Sequence, residues 1–227
     1  MRRSFVIGFL LFVTACTSGR GLNPATLADV LQRDAASFDG QAAPAGDAPP
    51  RTESRPPALG LYIRPAGSLH GLFDWHDRDQ DQVMAWANEL ATRGVVKGIT
   101  ALAPSSLKGI TLTEVRKAAA RYGATLLLVL DGAADVDRYN NYKAGLFYWT
   151  ILGAYLAHGT HSDALCVVTA TGWDVATGAK LFSESAEGTS RRVGPAALVD
   201  DRDEAEQAKR AALDHLLVKL ERRLARP

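Results

Sequence analysis

Thr111-Leu112-Thr113-Glu114-Val115-Arg116-Lys117-Ala118-Ala119-Ala120-Arg121-Tyr122-Gly123-Ala124-Thr125-Leu126-Leu127-Leu128-Val129-Leu130 reads as a capped helix, a stop and a buried strand in one run. Thr111 to Glu114 is a capping box: the Thr111 hydroxyl and the Glu114 carboxylate can each satisfy an orphan backbone donor. Leu112, Val115, Ala118, Ala119 and Tyr122 fall on one face at helical spacing. Gly123 supplies the stop. From Ala124 to Leu130 the residues are apolar without alternation, the pattern of a strand covered on both faces.

The same grammar stands upstream. Leu59-Gly60-Leu61-Tyr62-Ile63 is a short apolar strand, stopped by Pro65 and Gly67. Val83, Trp86, Ala87, Leu90 and Ala91 recur at helical spacing. Asp74, Asp77, Asp79 and Asp81 crowd the start of that helix, where the macrodipole favours acids, and Gly94 sits where a C-terminal cap belongs. Val95 to Ala103 reads as a second strand and Pro104 to Gly109 as a loop. Two successive helix-to-strand units predict right-handed crossovers and a sheet that is at least partly parallel.

Beyond Leu130 the pattern changes. Asp131 to Lys143 is polar and reads as turn-rich. Gly145 to Ala157 is apolar and aromatic, carrying Phe147, Tyr148, Trp149, Ile151, Leu152, Tyr155 and Leu156. It suits a core strand or buried helix better than a membrane span, which needs about 20 apolar residues. Its Trp and Tyr also suit a partner or lipid interface. His158 to His161 closes it. Ala164 to Asp174 and Lys180 to Glu187 flank Ala176-Thr177-Gly178 as a β-hairpin, and Arg191 to Val199 reads as a loop. The last element is an amphipathic helix. Ala205, Ala208, Ala212, Leu213, Leu216, Leu217, Leu220 and Leu224 form its stripe, with acids at Asp200 to Glu204 and bases at Lys219 to Arg226 matching its dipole. The expected fold class is therefore α/β: one mixed sheet, two crossover helices, a β-hairpin and a long C-terminal helix.

The amino terminus carries an address. Arg2 and Arg3 precede an apolar run from Phe5 to Val13, and Thr14-Ala15 precede Cys16, the layout of an export signal. Val13-Thr14-Ala15-Cys16 resembles the bacterial lipobox. That resemblance implies diacylglycerol transfer to the Cys16 thiol, cleavage before it and acylation of the new amino terminus. At about 0.8 kcal/mol per buried methylene, several acyl chains anchor stably where one does not. Residue 17 is Thr rather than Asp, which by the same resemblance implies the outer membrane rather than retention at the inner one. Residues 1–15 are thus expected to be a signal peptide. Residues 16–57, punctuated by six prolines and rich in Ala, Gly, Asp and Ser, are expected to be a lipidated disordered tether. Within it Pro24 can open a short helix carrying Leu27, Val30 and Leu31 on one face. As a coil, about 40 residues reach roughly 35 Å. Residues 58–227 are expected to form the periplasmic domain.

Composition narrows the partners. Lys plus Arg number 26 against 25 Asp plus Glu, so no polycationic signal points to nucleic acid. With Cys16 acylated, Cys166 has no partner for a disulfide, and its strand context (Ala164 to Val168) reads as a packed, inert thiol. His158, His161 and Asp163 suggest zinc, but a catalytic zinc wants three ligands in defined geometry, and a His-x-x-His pair beside Gly reads more simply as turn chemistry. Asp77, Asp79 and Asp81 mimic the opening of a calcium loop, yet Gln82 and Asn88 stand where it needs Gly and Glu. No phosphate-cradling glycine loop, dinucleotide fingerprint or nucleophile elbow occurs. No cofactor and no metal is expected.

Tyr139-Asn140-Asn141-Tyr142, the apolar run ending Gly153-Ala154-Tyr155-Leu156, Gly159-Thr160-His161-Ser162-Asp163-Ala164 and Trp173-Asp174-Val175-Ala176-Thr177-Gly178 resemble the rhombotail lipoproteins, proteobacterial lipoproteins of unassigned activity. The chain ends at Pro227 after a charged helix, without the Gly-Gly-type sorting tail some members carry. More loosely, the helix–Gly–Ala–strand at Ala118 to Leu130 with the later hairpin is similar to periplasmic α/β domains. Examples are the amino-terminal domain of the Tol-system propeller protein and the curli-secretion lipoprotein, which serve binding and assembly. The expected function is an outer-membrane-anchored periplasmic lipoprotein acting as a non-enzymatic binding or assembly accessory. Its candidate surface comprises Asn140, Asn141, Tyr142, His158, Gly159, Thr160, His161 and Asp163, and its partners are the bilayer through acylated Cys16 and an envelope protein. The rivals are an envelope hydrolase using His158, His161 or Asp163, and a ring-forming secretion component inserting Gly145 to Ala157 into membrane.

Overall fold

A computed structural model describes residues 19–39, 56–67, 70–104, 111–141 and 159–225. In chain order the elements are α1 (Pro24–Asp39), β1 (Ala58–Ile63), α2 (Asp77–Thr92), β2 (Gly98–Ala101), α3 (Leu112–Arg121), β3 (Leu126–Asn140), β4 (Thr160–Asp174), β5 (Lys180–Gly194) and α4 (Asp201–Leu224). The strands form one mixed sheet in the order β2-β1-β3-β4-β5. β1 runs parallel to both β2 and β3, and β4 is antiparallel to β3 and β5. The α/β class is what the helix-to-strand run from Thr111 to Leu130 implies, and the closing helix is the one marked by the stripe from Ala205 to Leu224.

Alternation along the strands sorts the layers. Leu59, Leu61, Leu126, Leu128 and Leu130 point to one face, where α2 and α4 pack through Val83, Leu90, Leu213, Leu216 and Leu220. Tyr62, Leu127 and Val129 point to the other, under Leu112, Val115 and Ala119 of α3. β3 is therefore buried on both sides, the reason its sequence lacks period-2 alternation. Thr111 caps α3 by accepting from the Glu114 amide, and Gly94 and Gly123 end their helices with φ of 73° and 75°. Gly188 of β5 lets α4 approach backbone to backbone: a Cβ there would stand 2.1 Å from the Ala208 carbonyl oxygen.

The structure corrects four expectations. First, residues 19–39 are not tether. α1 buries Leu27 and Leu31 against Ala133, Leu165 and Val167 on the α3 side of the sheet, and Phe38 stacks on Tyr62 with ring centroids 6.4 Å apart. The helix that Pro24 opens is the one its Leu27, Val30, Leu31 spacing predicts, but it belongs to the domain and covers sheet surface α3 does not reach. Second, the polar stretch after Leu130 is no turn region, since β3 continues to Asn140 in unbroken pairing with β4. Its acids stay in the strand because each finds donors: Asp131 from Arg64 and the Gly132 amide, Asp137 from the Gly21 amide. Third, Thr160 and His161 open β4 rather than close a preceding segment. Fourth, β5 runs on to Gly194, so only the remainder of Arg191 to Val199 is loop. The aromatic run Gly145 to Ala157 lies outside the described residues, as do Cys16, Tyr142 and His158.

Candidate functional site

β3, β4 and β5 each run fifteen residues, about 50 Å at ~3.3 Å per residue, and project beyond β1. On their α1-side face, at the projecting end, the pairing places Tyr139 beside His161 and Val193, and Asp137 beside Asp163 and Arg191. Tyr139 and His161 stack, with centroids 4.9 Å apart and planes 6° from parallel. The Tyr139 hydroxyl donates to Asp163 at 3.2 Å. Arg191 lies 3.2 Å from Asp163 and 3.4 Å from His161 Nδ1. Thr160 donates to the Asn140 side chain at 2.8 Å, and the Asn141 amide donates to the Gly159 carbonyl. Of the expected surface, Asn140, Asn141, Gly159, Thr160, His161 and Asp163 thus converge at one end of the sheet.

Asp137 and Asp163 oppose each other across the strands, an unfavourable like-charge pair unless donors intervene. Arg191 serves Asp163. Asp137 is served by the incoming chain: the Gly21 amide donates to it at 2.7 Å, and Arg20 Nε stands 3.8 Å away. Arg20 also donates to the Val136 carbonyl at 3.0 Å. Gly19 lies so close that a Cβ would meet Asp137 at 2.8 Å and the Tyr139 ring at 2.9 Å. Residues 19–21 form a strap on this end of the sheet. Sequence reading missed it because nothing local marks Gly19-Arg20-Gly21, and the acids that hold it lie more than a hundred positions away.

A second cluster joins α1 to the sheet. Arg64 binds Asp34 at 2.6 Å and Asp131 at 2.8 Å. The Gly67 amide donates to His70 Nδ1, so Nε2 carries the proton and donates to Asp34 at 2.8 Å. Asp34, His70 and Asp131 bring ligand atoms within 4.8 Å of one another. The Arg64 guanidinium lies between the carboxylates and the imidazole nitrogens are both engaged, so the arrangement is a clasp complete without an ion. Burial raises the Asp131 carboxyl above its ordinary value against the charges of Arg64 and His70. Burial also pushes Asp34 upward, but the His70 hydrogen bond and Arg64 together bring it below the usual range.

A third cluster lies under α4. Lys209, 2% exposed, contacts Asp79 at 2.5 Å and Glu206 at 2.8 Å, and donates to the Asp74 carbonyl at 2.7 Å. Asp79 also accepts from the His76 amide at 2.9 Å. The acids that resemble a calcium loop therefore contribute Asp79 to a buried ion pair. Cys166 is fully buried, and burial pushes its thiol up to about 12. At about pH 8 the thiolate fraction is of order 10⁻⁴. Iodoacetamide should leave Cys166 unmodified in the native protein and label it promptly in urea; rapid native labelling would contradict this packing. A recess of about 370 Å³ between α2 and the carboxyl ends of β1 and β2 is walled by Ile63, Trp75 and Met84.

No family model and no curated protein matches this chain. Among solved structures it is similar to a PelC dodecamer protein from Paraburkholderia phytofirmans (16% identity over 78% of this chain and 95% of that one, TM-score 0.36). A neuraminyllactose-binding hemagglutinin homolog from Helicobacter pylori shares 11% identity over 74% of this chain and 85% of its own, with TM-score 0.41. A minor lipoprotein from Acinetobacter baumannii shares 15% over 75% and 96%, with TM-score 0.37. At these TM-scores the likenesses carry no argument about function.

Proposed function

We propose that this chain is a lipoprotein anchored to the outer membrane through acylated Cys16, with its α/β domain in the periplasm as a non-enzymatic binding or assembly accessory of the envelope. The observation that carries the reading is the strap. Residues 19–21, which begin three positions after Cys16 of the lipobox-like Val13-Thr14-Ala15-Cys16, are held on the sheet, so the domain starts a short reach from the anchor. Of the residues the hydrolase rival names, the two that are described have other partners: His161 stacks on Tyr139, and Asp163 pairs with Arg191 and the Tyr139 hydroxyl. The rhombotail resemblance of Tyr139 to Tyr142, Gly159 to Ala164 and Trp173 to Gly178 points the same way. These stretches lie at the two ends of the β3–β4–β5 ribbon.

The test is metabolic labelling with an alkynyl fatty acid followed by fractionation. Wild type should carry label and sediment with the outer membrane, and Cys16→Ala should be unlabelled and soluble. A Cys16→Ala protein that still sediments with the outer membrane would show that the domain binds there by itself, and an unlabelled wild type would sink the anchor. The purified protein should not hydrolyse envelope ester, amide or glycosidic substrates; turnover that is lost in a stably folded His161→Ala, Asp163→Ala variant would favour the hydrolase, whereas loss of partner binding without any turnover would support the accessory.

A further inference from the structure

We propose that the projecting end of the sheet, where Asn140 meets Thr160, is the face that the domain lays on the bilayer surface. The inference rests on acylation of Cys16. Only Thr17 and Ser18 separate Cys16 from Gly19, and three residue steps span at most about 11 Å. Gly19 is wedged against Asp137 and Tyr139, and the Gly21 amide is bonded to Asp137. The acyl chains therefore leave the protein within one short reach of this end, instead of the roughly 35 Å that a free coil would allow.

Two further features agree. The exposed large apolar side chains among the described residues are Leu72, Tyr122, Val193, Leu198 and Val218. Val193 pairs with His161 at the projecting end, and Leu72 and Leu198 line a recess there with Arg138. The guanidiniums of Arg20 and Arg191, with side chains 70% and 63% exposed, stand at the same rim, where they suit lipid phosphates. α4 starts here, with Asp201 bonded to Ser162, and ends at the opposite pole, where Glu221 bonds Arg93. The β4–β5 turn at Ala176 marks that far pole.

The experiment uses full-length, acylated protein in phosphatidylethanolamine–phosphatidylglycerol vesicles, with a fluorophore on Val193→Cys or on Ala176→Cys. Cys166, buried and protonated, does not compete for label. The two positions lie about 50 Å apart along the strands. Brominated lipid should quench the probe at 193 several-fold more than the probe at 176. Inserting a long Gly-Ser segment between Ser18 and Gly19 should reduce that difference. Equal quenching in acylated protein, stronger quenching at 176, or quenching at 193 that requires a protein partner in the vesicle would overturn this orientation and leave the anchor standing. A mass spectrum showing unmodified Cys16 would overturn both.

Discussion

Lys209→Ala is expected to destabilise the fold by about 3–5 kcal/mol, the usual consequence of removing one member of a buried ion pair. Lys209 and Asp79 are both 2% exposed. Without the ammonium, Asp79 stays buried with the His76 amide as its hydrogen-bond donor and Arg78 Nε 3.8 Å away, and the Asp74 carbonyl loses its partner. Lys209 also joins elements far apart in sequence, tying α4 to the start of α2, and its ammonium sits 5.9 Å from the Phe73 ring. Urea denaturation monitored by tryptophan fluorescence would report the loss as a lower midpoint. The double variant Lys209→Met with Asp79→Leu should recover much of it, because replacing both charges by apolar groups removes the uncompensated carboxylate. A single variant within about 1 kcal/mol of wild type would mean that the pair contributes little.

Arg64→Ala should cost about 2–4 kcal/mol, less than a fully buried case because the Asp34 side chain is 24% exposed. It should also loosen α1 selectively, since Arg64 holds Asp34 of that helix to Asp131 of β3. Hydrogen exchange should speed up in α1 before it does in β3 and β4. Acid acts on the clasp in two opposed ways. The lowered Asp34 contributes stability that is present above its ordinary value and lost as pH falls through its folded value. The raised Asp131 binds its proton first in the folded state, so its contribution improves as pH falls through its folded value. Asp34→Asn should therefore be less stable than wild type at neutral pH and lose less on acidification, measured by urea titrations from about pH 7 to 3. An unchanged acid profile would remove Asp34 from the account.

Where periodicity and capping act within ten or fifteen residues, local reading succeeded. Thr111 caps its helix, Gly123 stops it, and Leu126 to Leu130 form a strand buried on both faces, because each requirement is met by neighbours in the chain. The β4–β5 hairpin was equally legible: the Asp174 carboxylate accepts from the Thr177 amide and hydroxyl, and Gly178 takes a φ of 76°. Asn140, Thr160, His161 and Asp163 stand out in the sequence, but the pairing of Thr160 with Asn140, and of His161 and Asp163 with Tyr139 and Arg191, needed the strand register.

Reading failed where polar residues are held by partners distant in sequence. The acids after Leu130 look like turn chemistry until Arg64 and Gly21, from other parts of the chain, satisfy them. The spacing of Leu27, Val30 and Leu31 marks α1 as a helix, but it looks like part of a tether until Ala133, Leu165 and Val167 supply the surface it covers. The sequence by itself determined the helix and strand periodicities and the α/β class, because those depend on local spacing and side-chain chemistry. Only the tertiary structure decided that residues 19–21 are strapped to Asp137. A hydrogen bond from Gly21 to a carboxylate 116 positions away exists only once β3 and β4 have been brought together.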